Sequence, residues 1–222
     1  MKLIVFDCDG TLVDSQHMIV AAMEVAFAGR DLALPPRHEI LSVVGLSLAI
    51  AVSRLVPHLD EARVDQLAED YKNAFGELRR DPGQYEPFYP GVREILLELG
   101  ALDHVRLGIA TGKSRRGLAA ILLREQLGEL FHTIQTADTH PSKPDPSMLL
   151  SAMVDAGCTP AQTLMIGDTT FDMDMAKAAG VRGIGVAWGY HPVEALHSAG
   201  AHAVAHDASA LLAELRTFTS GA

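Results

Sequence analysis

Apolar positions follow two different rhythms along the chain. The opening run Leu3-Ile4-Val5-Phe6 is continuously apolar and partly β-branched, the pattern of a strand buried on both faces. From Met18 to Ala28 strong helix formers take over, with Asp14-Ser15 in front as an N-cap. Pro35-Pro36 breaks that segment. A second helical stretch covers roughly residues 38–55, with a bend at Gly45. A third begins after Asp60, where Val64, Leu67, Ala68, Tyr71, Ala74, Phe75 and Leu78 recur at helical spacing. Arg79-Arg80-Asp81-Pro82-Gly83 stops it, so residues 15–87 read as all-helical.

After Tyr89 short apolar runs alternate with helical ones. Pro90-Gly91 opens a helix with Val92, Ile95, Leu96 and Leu99 on one face. Strands are predicted over residues 105–110, 133–136, 163–166 and 183–187. Helices lie between them, marked by Leu118, Ile121 and Leu122, by the segment after Pro146, and by residues 173–179. Leu211, Leu212 and Leu215 mark a closing helix. Strand–helix alternation is the signature of a parallel sheet covered by helices on both faces. The first strand belongs to that sheet although a helical insertion separates it from the second.

Composition narrows the classes. At 222 residues, 48% of them hydrophobic, the chain can bury a substantial core. A net charge of -10 speaks against non-specific binding to nucleic acid or to anionic membrane surfaces. The longest apolar candidate, Val43 to Val52, contains Gly45 and Ser47 and falls far short of the ~20 residues a bilayer needs. Asp7 and Asp9 interrupt the N-terminus before a signal peptide could form. Cys8 and Cys158 are too few for a disulfide framework or a zinc knuckle, so a cytoplasmic protein is expected. No oligomeric state follows from the sequence.

Candidate chemistry gathers where strands end. Asp7 and Asp9 close the first strand, followed by Gly10 and Thr11. Carboxylates at a buried strand tip cost stability unless a cation compensates them. Two like charges ~4 Å apart repel by about 4 kcal/mol at an effective dielectric near 20. Hard oxygen ligands of this kind point to Mg²⁺; the plainer reading is an acidic turn eased by Gly10. Thr111 closes the second strand, and Gly112-Lys113 lead into a helix whose free N–H groups suit an anion. Lys143 sits in Ser142-Lys143-Pro144-Asp145-Pro146, a loop stiffened by two prolines. Asp168 closes a later strand, and Asp172, four residues on, can face the same cation. Asp174 would point largely away.

Each group has an ordinary alternative when taken singly. Lys143 could be a solvated loop lysine, Thr111 a strand-end cap and Asp168 a helix cap. Their shared position changes the balance, because ligands of open parallel sheets bind beyond the carboxyl ends of the strands. A P-loop reading of Gly112-Lys113-Ser114 fails, since Leu107 stands where that motif needs glycine. The ten histidines show no metal-ligand spacing and read mostly as surface residues, while Met165 and Trp188 read as packing.

Asp-x-Asp-Gly-Thr at 7–11, Thr111 after a strand, Lys143-Pro144, and Gly167-Asp168 with Asp172 occur in one order over almost the whole chain. That order resembles the haloacid dehalogenase-like phosphohydrolase superfamily, and the helical insertion resembles the cap of its phosphoglycolate phosphatase and β-phosphoglucomutase subfamily. The resemblance implies an α/β fold: a Rossmann-like parallel sheet core (residues 1–14 and 88–222) with an inserted all-helical cap (15–87). It implies Asp7 as nucleophile, Asp9 as general acid and base, and Thr111 and Lys143 as holders of the phosphoryl oxygens. Mg²⁺ would be bound by Asp7, the Asp9 main-chain carbonyl, Asp168 and Asp172. Substrate contacts are expected from Thr111, Gly112 and Lys143, and from Ser47 beside Leu46 at the Gly45 bend. Many subfamily members carry Asn where this chain has Gly112, a departure that bears on substrate choice rather than on reaction class.

The implied activity is Mg²⁺-dependent hydrolysis of a small phosphate monoester through an aspartyl-phosphate, with 2-phosphoglycolate the first candidate and the phosphorylated metabolite the expected partner. A sugar-phosphate mutase on the same scaffold and a phospho-aspartate signalling receiver are the alternatives. The helical insertion and the placement of Asp9 favour an enzyme. Dehalogenation fits poorly, because it has no use for carboxylates at Asp9 and Asp168.

Overall fold

Leu3, Ile4, Val5 and Phe6 are fully buried and form most of the first strand, β1 (Lys2–Phe6). The computed structural model describes residues 1–81 and 83–221; Pro82, expected to help stop the third helical stretch, lies outside them. Four helices follow β1: α1 (Gln16–Ala28), α2 (Arg37–Ser42), α3 (Leu48–Leu55) and α4 (Glu61–Leu78). The remaining chain runs α5 (Val92–Gly100), β2 (Val105–Thr111), α6 (Arg115–Glu125), β3 (Phe131–Thr136), α7 (Ser147–Ala156) and β4 (Thr163–Gly167). It ends with α8 (Thr170–Ala178), β5 (Arg182–Val186), α9 (Val193–Ser198), β6 (Ala203–Ala205) and α10 (Ala208–Ser220).

The strands make one parallel sheet in the order β3-β2-β1-β4-β5-β6. Strand β1 is central, with Leu3 opposite both Arg106 on β2 and Thr163 on β4. Successive side chains of a strand point to opposite faces, and β1 shows the consequence. Ile4 and Phe6 join a core with Leu96, Leu122 and Leu215 from α5, α6 and α10, whereas Leu3 and Val5 pack with Met148, Leu149 and Met175 from α7 and α8. Chain order reverses on either side of β1, so the crevice between the ends of β1 and β4 is the switch point where such sheets bind ligands.

Helices α1 to α4 bury a separate cluster that includes Met18, Phe27, Ile40, Val52, Leu67 and Phe75. Asp60 caps α4 by accepting from the Arg63 N–H at 2.9 Å. The two connectors to the sheet run side by side: Asp14 N–H donates to the Pro87 carbonyl at 2.8 Å and Tyr89 N–H to the Leu12 carbonyl at 3.0 Å.

Three details differ from the sequence pattern. The stretch at 38–55 is two helices, broken across 43–47 by Gly45, whose φ of 99° is open to glycine. Ser15 stands at the N-cap of α1 but makes no capping bond; its hydroxyl lies 3.0 Å from the Tyr190 hydroxyl instead. Strand β6 and helix α9 carry no signal of their own, being three and six residues long. Tertiary pairing with β5 makes β6 a strand.

Candidate active site

Four separated segments converge at the carboxyl ends of the central strands. Asp7 follows β1, Asp168 follows β4, Asp172 lies in the first turn of α8, and Lys143 comes from the loop after β3; all four are buried. The Lys143 ammonium lies 3.0 Å from Asp7 Oδ1 and 2.7 Å from Asp172 Oδ1, its side chain wholly enclosed. The solvated-lysine reading is therefore excluded by position. Asp168 does not cap α8. Thr169 does, in a capping box with Asp172, whose Oδ2 accepts from Thr169 N–H at 3.1 Å and from its hydroxyl at 2.7 Å. Asp168 accepts instead from the Thr11 hydroxyl at 2.8 Å and from Tyr190 N–H at 2.9 Å.

Glycine makes this crowding possible. A Cβ on Gly10 or Gly189 would collide with the Asp168 side chain, and one on Gly167 with Asp172.

Charge in this cluster is unbalanced. Three carboxylates face one ammonium. Burial pushes the Asp7 carboxyl up to about 7 despite Lys143, and burial with the neighbouring Asp172 and Asp7 pushes Asp168 well above the usual carboxylate range. Burial opposes the charge on Lys143, but Asp172 and Asp7 outweigh it and hold the ammonium above its ordinary pKa. Oxygens of Asp7, Asp168 and Asp172 lie within 4.8 Å of one another. Asp7 Oδ1 accepts from Cys8 N–H, whereas Asp7 Oδ2 is buried with no hydrogen-bond partner. An orphaned buried oxygen amid excess negative charge is what a hard divalent cation satisfies, so the residues fit Mg²⁺.

Asp9 faces the other way. Its Oδ1 pairs with the Lys113 ammonium at 2.8 Å, and its carboxylate is not one of the three clustered groups. Lys113 also lies 2.8 Å from Glu86 Oε1, and Arg79 donates to both Glu86 oxygens at 2.9 and 3.2 Å. Burial opposes the Lys113 charge, but Asp9 and Glu86 hold its pKa above the ordinary lysine value.

Thr111 is buried, and its hydroxyl accepts from the Lys113 N–H at 3.2 Å, a strand-end turn that leaves the O–H free to donate. Gly112 is dictated by space: a Cβ there would strike the carbonyl oxygens of Gly45 and Leu46. The departure at this position therefore belongs to the close approach of the 43–47 turn. Ser47 N–H donates to the Ser142 hydroxyl at 2.8 Å, joining that turn to the Lys143 loop. A cavity of about 380 Å³ lies between the strand ends and the helical insertion. Asp7, Asp9, Thr111, Gly112 and Ser47 line it together with Phe75.

Several participants had no sequence signal. Thr169 and Tyr190 hold the carboxylates together with Thr11 of the opening motif, and Glu86 and Arg79 complete the Lys113 pair. The sequence pattern sets Lys113 at the start of a helix but gives its ammonium no partner. His191, read with the surface histidines, is half-buried; it accepts from Thr170 N–H at 3.1 Å through Nδ1 and meets the Ser42 carbonyl at 3.1 Å through Nε2. Burial lowers its pKa. Met165 and Trp188 are packing residues, Trp188 also donating to the Thr11 carbonyl at 3.2 Å.

A parallel α/β sheet with buried carboxylates and a lysine at its switch point defines a class of hydrolase, and comparison with known proteins agrees. Residues 4–186 match the family model described as haloacid dehalogenase-like hydrolase, and the chain belongs to that family. It is 36% identical over 193 residues to a phosphoglycolate phosphatase of Pseudomonas savastanoi pv. phaseolicola, covering 86% of this chain and 71% of the relative. It is 38% identical over 204 residues to a probable phosphatase, IndB, of Dickeya dadantii, covering 89% and 86%. The crystal structure of a hydrolase from Pseudomonas syringae superposes with a TM-score of 0.86 at 26% identity, covering 98% and 99% of the two chains. The chain is an enzyme of the phosphoric monoester hydrolase class. No described helix is long and apolar enough to cross a membrane.

Proposed function

We propose that the chain is a Mg²⁺-dependent phosphatase that hydrolyses a small phosphate monoester through an aspartyl-phosphate on Asp7, with residues 15–87 acting as a cap over the site. The observation that carries this reading is Lys143 Nζ, buried 3.0 Å from Asp7 and 2.7 Å from Asp172. Asp7 Oδ2, free of hydrogen bonds, is the attacking atom. It bonds to phosphorus while the bond to the leaving alcohol breaks, and Asp9 gives that oxygen its proton. The Asp9 carboxylate then takes a proton from water as the water oxygen attacks the aspartyl-phosphate. The bond between phosphorus and Asp7 Oδ2 breaks as the water oxygen bonds, inorganic phosphate leaves, and both side chains return to their starting state.

Lys143 and the Thr111 hydroxyl hold the phosphoryl oxygens, offsetting the repulsion between a phosphate dianion and the surrounding carboxylates. Mg²⁺ held by Asp7, Asp168, Asp172 and the Asp9 carbonyl would supply the remaining positive charge. Ser47 and the Gly45 turn form the wall of the cavity toward the leaving group, and water is excluded when that wall is seated.

The names of the relatives make 2-phosphoglycolate the first substrate to test, and a cavity of about 380 Å³ admits a small metabolite. Phosphate release from a panel of monoesters, with Mg²⁺ and with EDTA, tests the proposal. Mg²⁺-dependent release led by one alkyl ester is expected. Isomerisation of a sugar phosphate without net release would select the mutase instead, and self-phosphorylation without turnover would select the receiver.

A further inference from the structure

We propose that Glu86 is a positioning residue for Asp9, acting through Lys113, so that alignment of the leaving-group acid depends on a buried carboxylate of the connector that returns from the helical insertion; this rests on the phosphatase reading above. Glu86 is fully buried on the connector that returns from the insertion, and it is not one of the three clustered carboxylates. Burying a carboxylate is costly unless it is paired, and here two cations meet it. Arg79, at the end of α4, grips both oxygens, and Lys113, just after β2, takes Oε1 at 2.8 Å. Arg124 of α6 donates to the Glu86 main-chain carbonyl, fixing the backbone from the sheet side.

The geometry ties this pair to the proton donor. Among the described residues, Lys113 is the one group that donates to the Asp9 carboxylate, at 2.8 Å. A lysine side chain has four rotatable bonds, so its ammonium points wherever its partners hold it. Glu86 holds it from one side, and the Phe75 ring of α4 lies 5.1 Å below it, with Arg79 4.9 Å from the same ring. Phe75, Arg79 and Glu86 belong to the insertion or its connector, whereas Asp9 and Lys113 follow strand ends. The Glu86 and Phe75 contacts that hold Lys113 toward Asp9 therefore come from the insertion side.

A residue that only braces the fold slows all substrates alike. One that aligns the leaving-group acid slows only substrates whose leaving group needs a proton. Kinetics of Glu86→Gln on the best alkyl monoester and on acetyl phosphate, with Mg²⁺ present, separate the two. The comparison uses kcat/KM, which reports the first transfer and not the later hydrolysis common to both esters. Expected is a loss of about ten- to a hundredfold on the alkyl ester, with acetyl phosphate, whose acetate leaves unprotonated, changed by less than about threefold. Should Glu86→Gln fail to fold, Lys113→Gln gives the same split by removing the donor itself. Equal losses on both esters, or an unchanged ratio, overturn the proposal. A wild-type protein that releases phosphate from neither ester refutes the phosphatase reading and the inference with it, a result distinct from loss of the split alone.

Discussion

Two ionic clusters flank the tip of β1, centred on Asp7 and Asp9 with only Cys8 between them, and they differ in their charge balance. Around Asp7, three buried carboxylates share the single charge of Lys143. Around Asp9, two carboxylates, Asp9 and Glu86, meet two cations, Lys113 and Arg79. Fully ionised, the first is short by two positive charges and the second by none. The unbalanced cluster also holds the unpartnered Asp7 Oδ2 and the raised Asp7 and Asp168 carboxyls. Incompleteness marks the side that the proposal assigns to a divalent cation and a phosphate. The balanced side is finished within the chain and connects the insertion to the sheet.

Removing the attacking group should break the contrast most severely. Asp7→Asn is expected to lower turnover by roughly 10⁴-fold or more, while the melting temperature in EDTA holds or rises, because one buried charge is gone. Activity within tenfold of wild type would defeat the covalent mechanism.

Removing the central cation of each cluster compares them directly. Lys143→Met strands Asp7 and Asp172 without a counter-charge and should cost about 3–5 kcal/mol in urea denaturation. Lys113→Met leaves Arg79 on Glu86, and Asp9 borders the cavity, so about 1–3 kcal/mol is expected. Equal costs would erase the distinction.

Mg²⁺ should stabilise the unbalanced cluster alone. At a concentration a hundred times its Kd the gain is about 2.7 kcal/mol, on the order of 5–10 °C for a chain of this length. Asp168→Asn should blunt that gain, and Glu86→Gln should keep it. The metal-free protein carries a pH signature of known sign. With Asp7 raised from 3.8 to about 7, the folded state binds more protons than the unfolded one across that window. Stability in EDTA should therefore fall as pH rises from about 4 to about 7, and Mg²⁺ should abolish the slope. A flat metal-free profile would contradict the burial of Asp7.

The mildest perturbation is Gly112→Ala. Its Cβ would push the Gly45 and Leu46 carbonyls away, at about 1–3 kcal/mol. Unchanged stability and kinetics would show that the 43–47 turn yields freely.

Much of the sheet was readable because buried parallel strands are short, apolar and β-branched, and β1, β2 and β4 carry that pattern. The carboxylates were readable because they sit at the ends of predicted strands, and Lys143 because of the motif order on which the family resemblance rests. The polar partners were not. Tyr190 and Glu86 are ordinary residues until distant segments meet them, as when Tyr190 N–H reaches Asp168 or Arg79 reaches Glu86. Ser15 illustrates the reverse: a good local cap whose hydroxyl faces Tyr190 instead.

By itself the sequence determined the alternation of strands and helices, the acidic tip of β1 and the order of the motif residues, all of which depend on neighbours along the chain. Tertiary structure alone decided which charges would be paired. It set Lys143 between Asp7 and Asp172, turned Asp9 toward Lys113, and pressed the Gly45 turn against Gly112. The reason is physical: burial and Coulomb energy depend on distance through space, which local pattern does not encode.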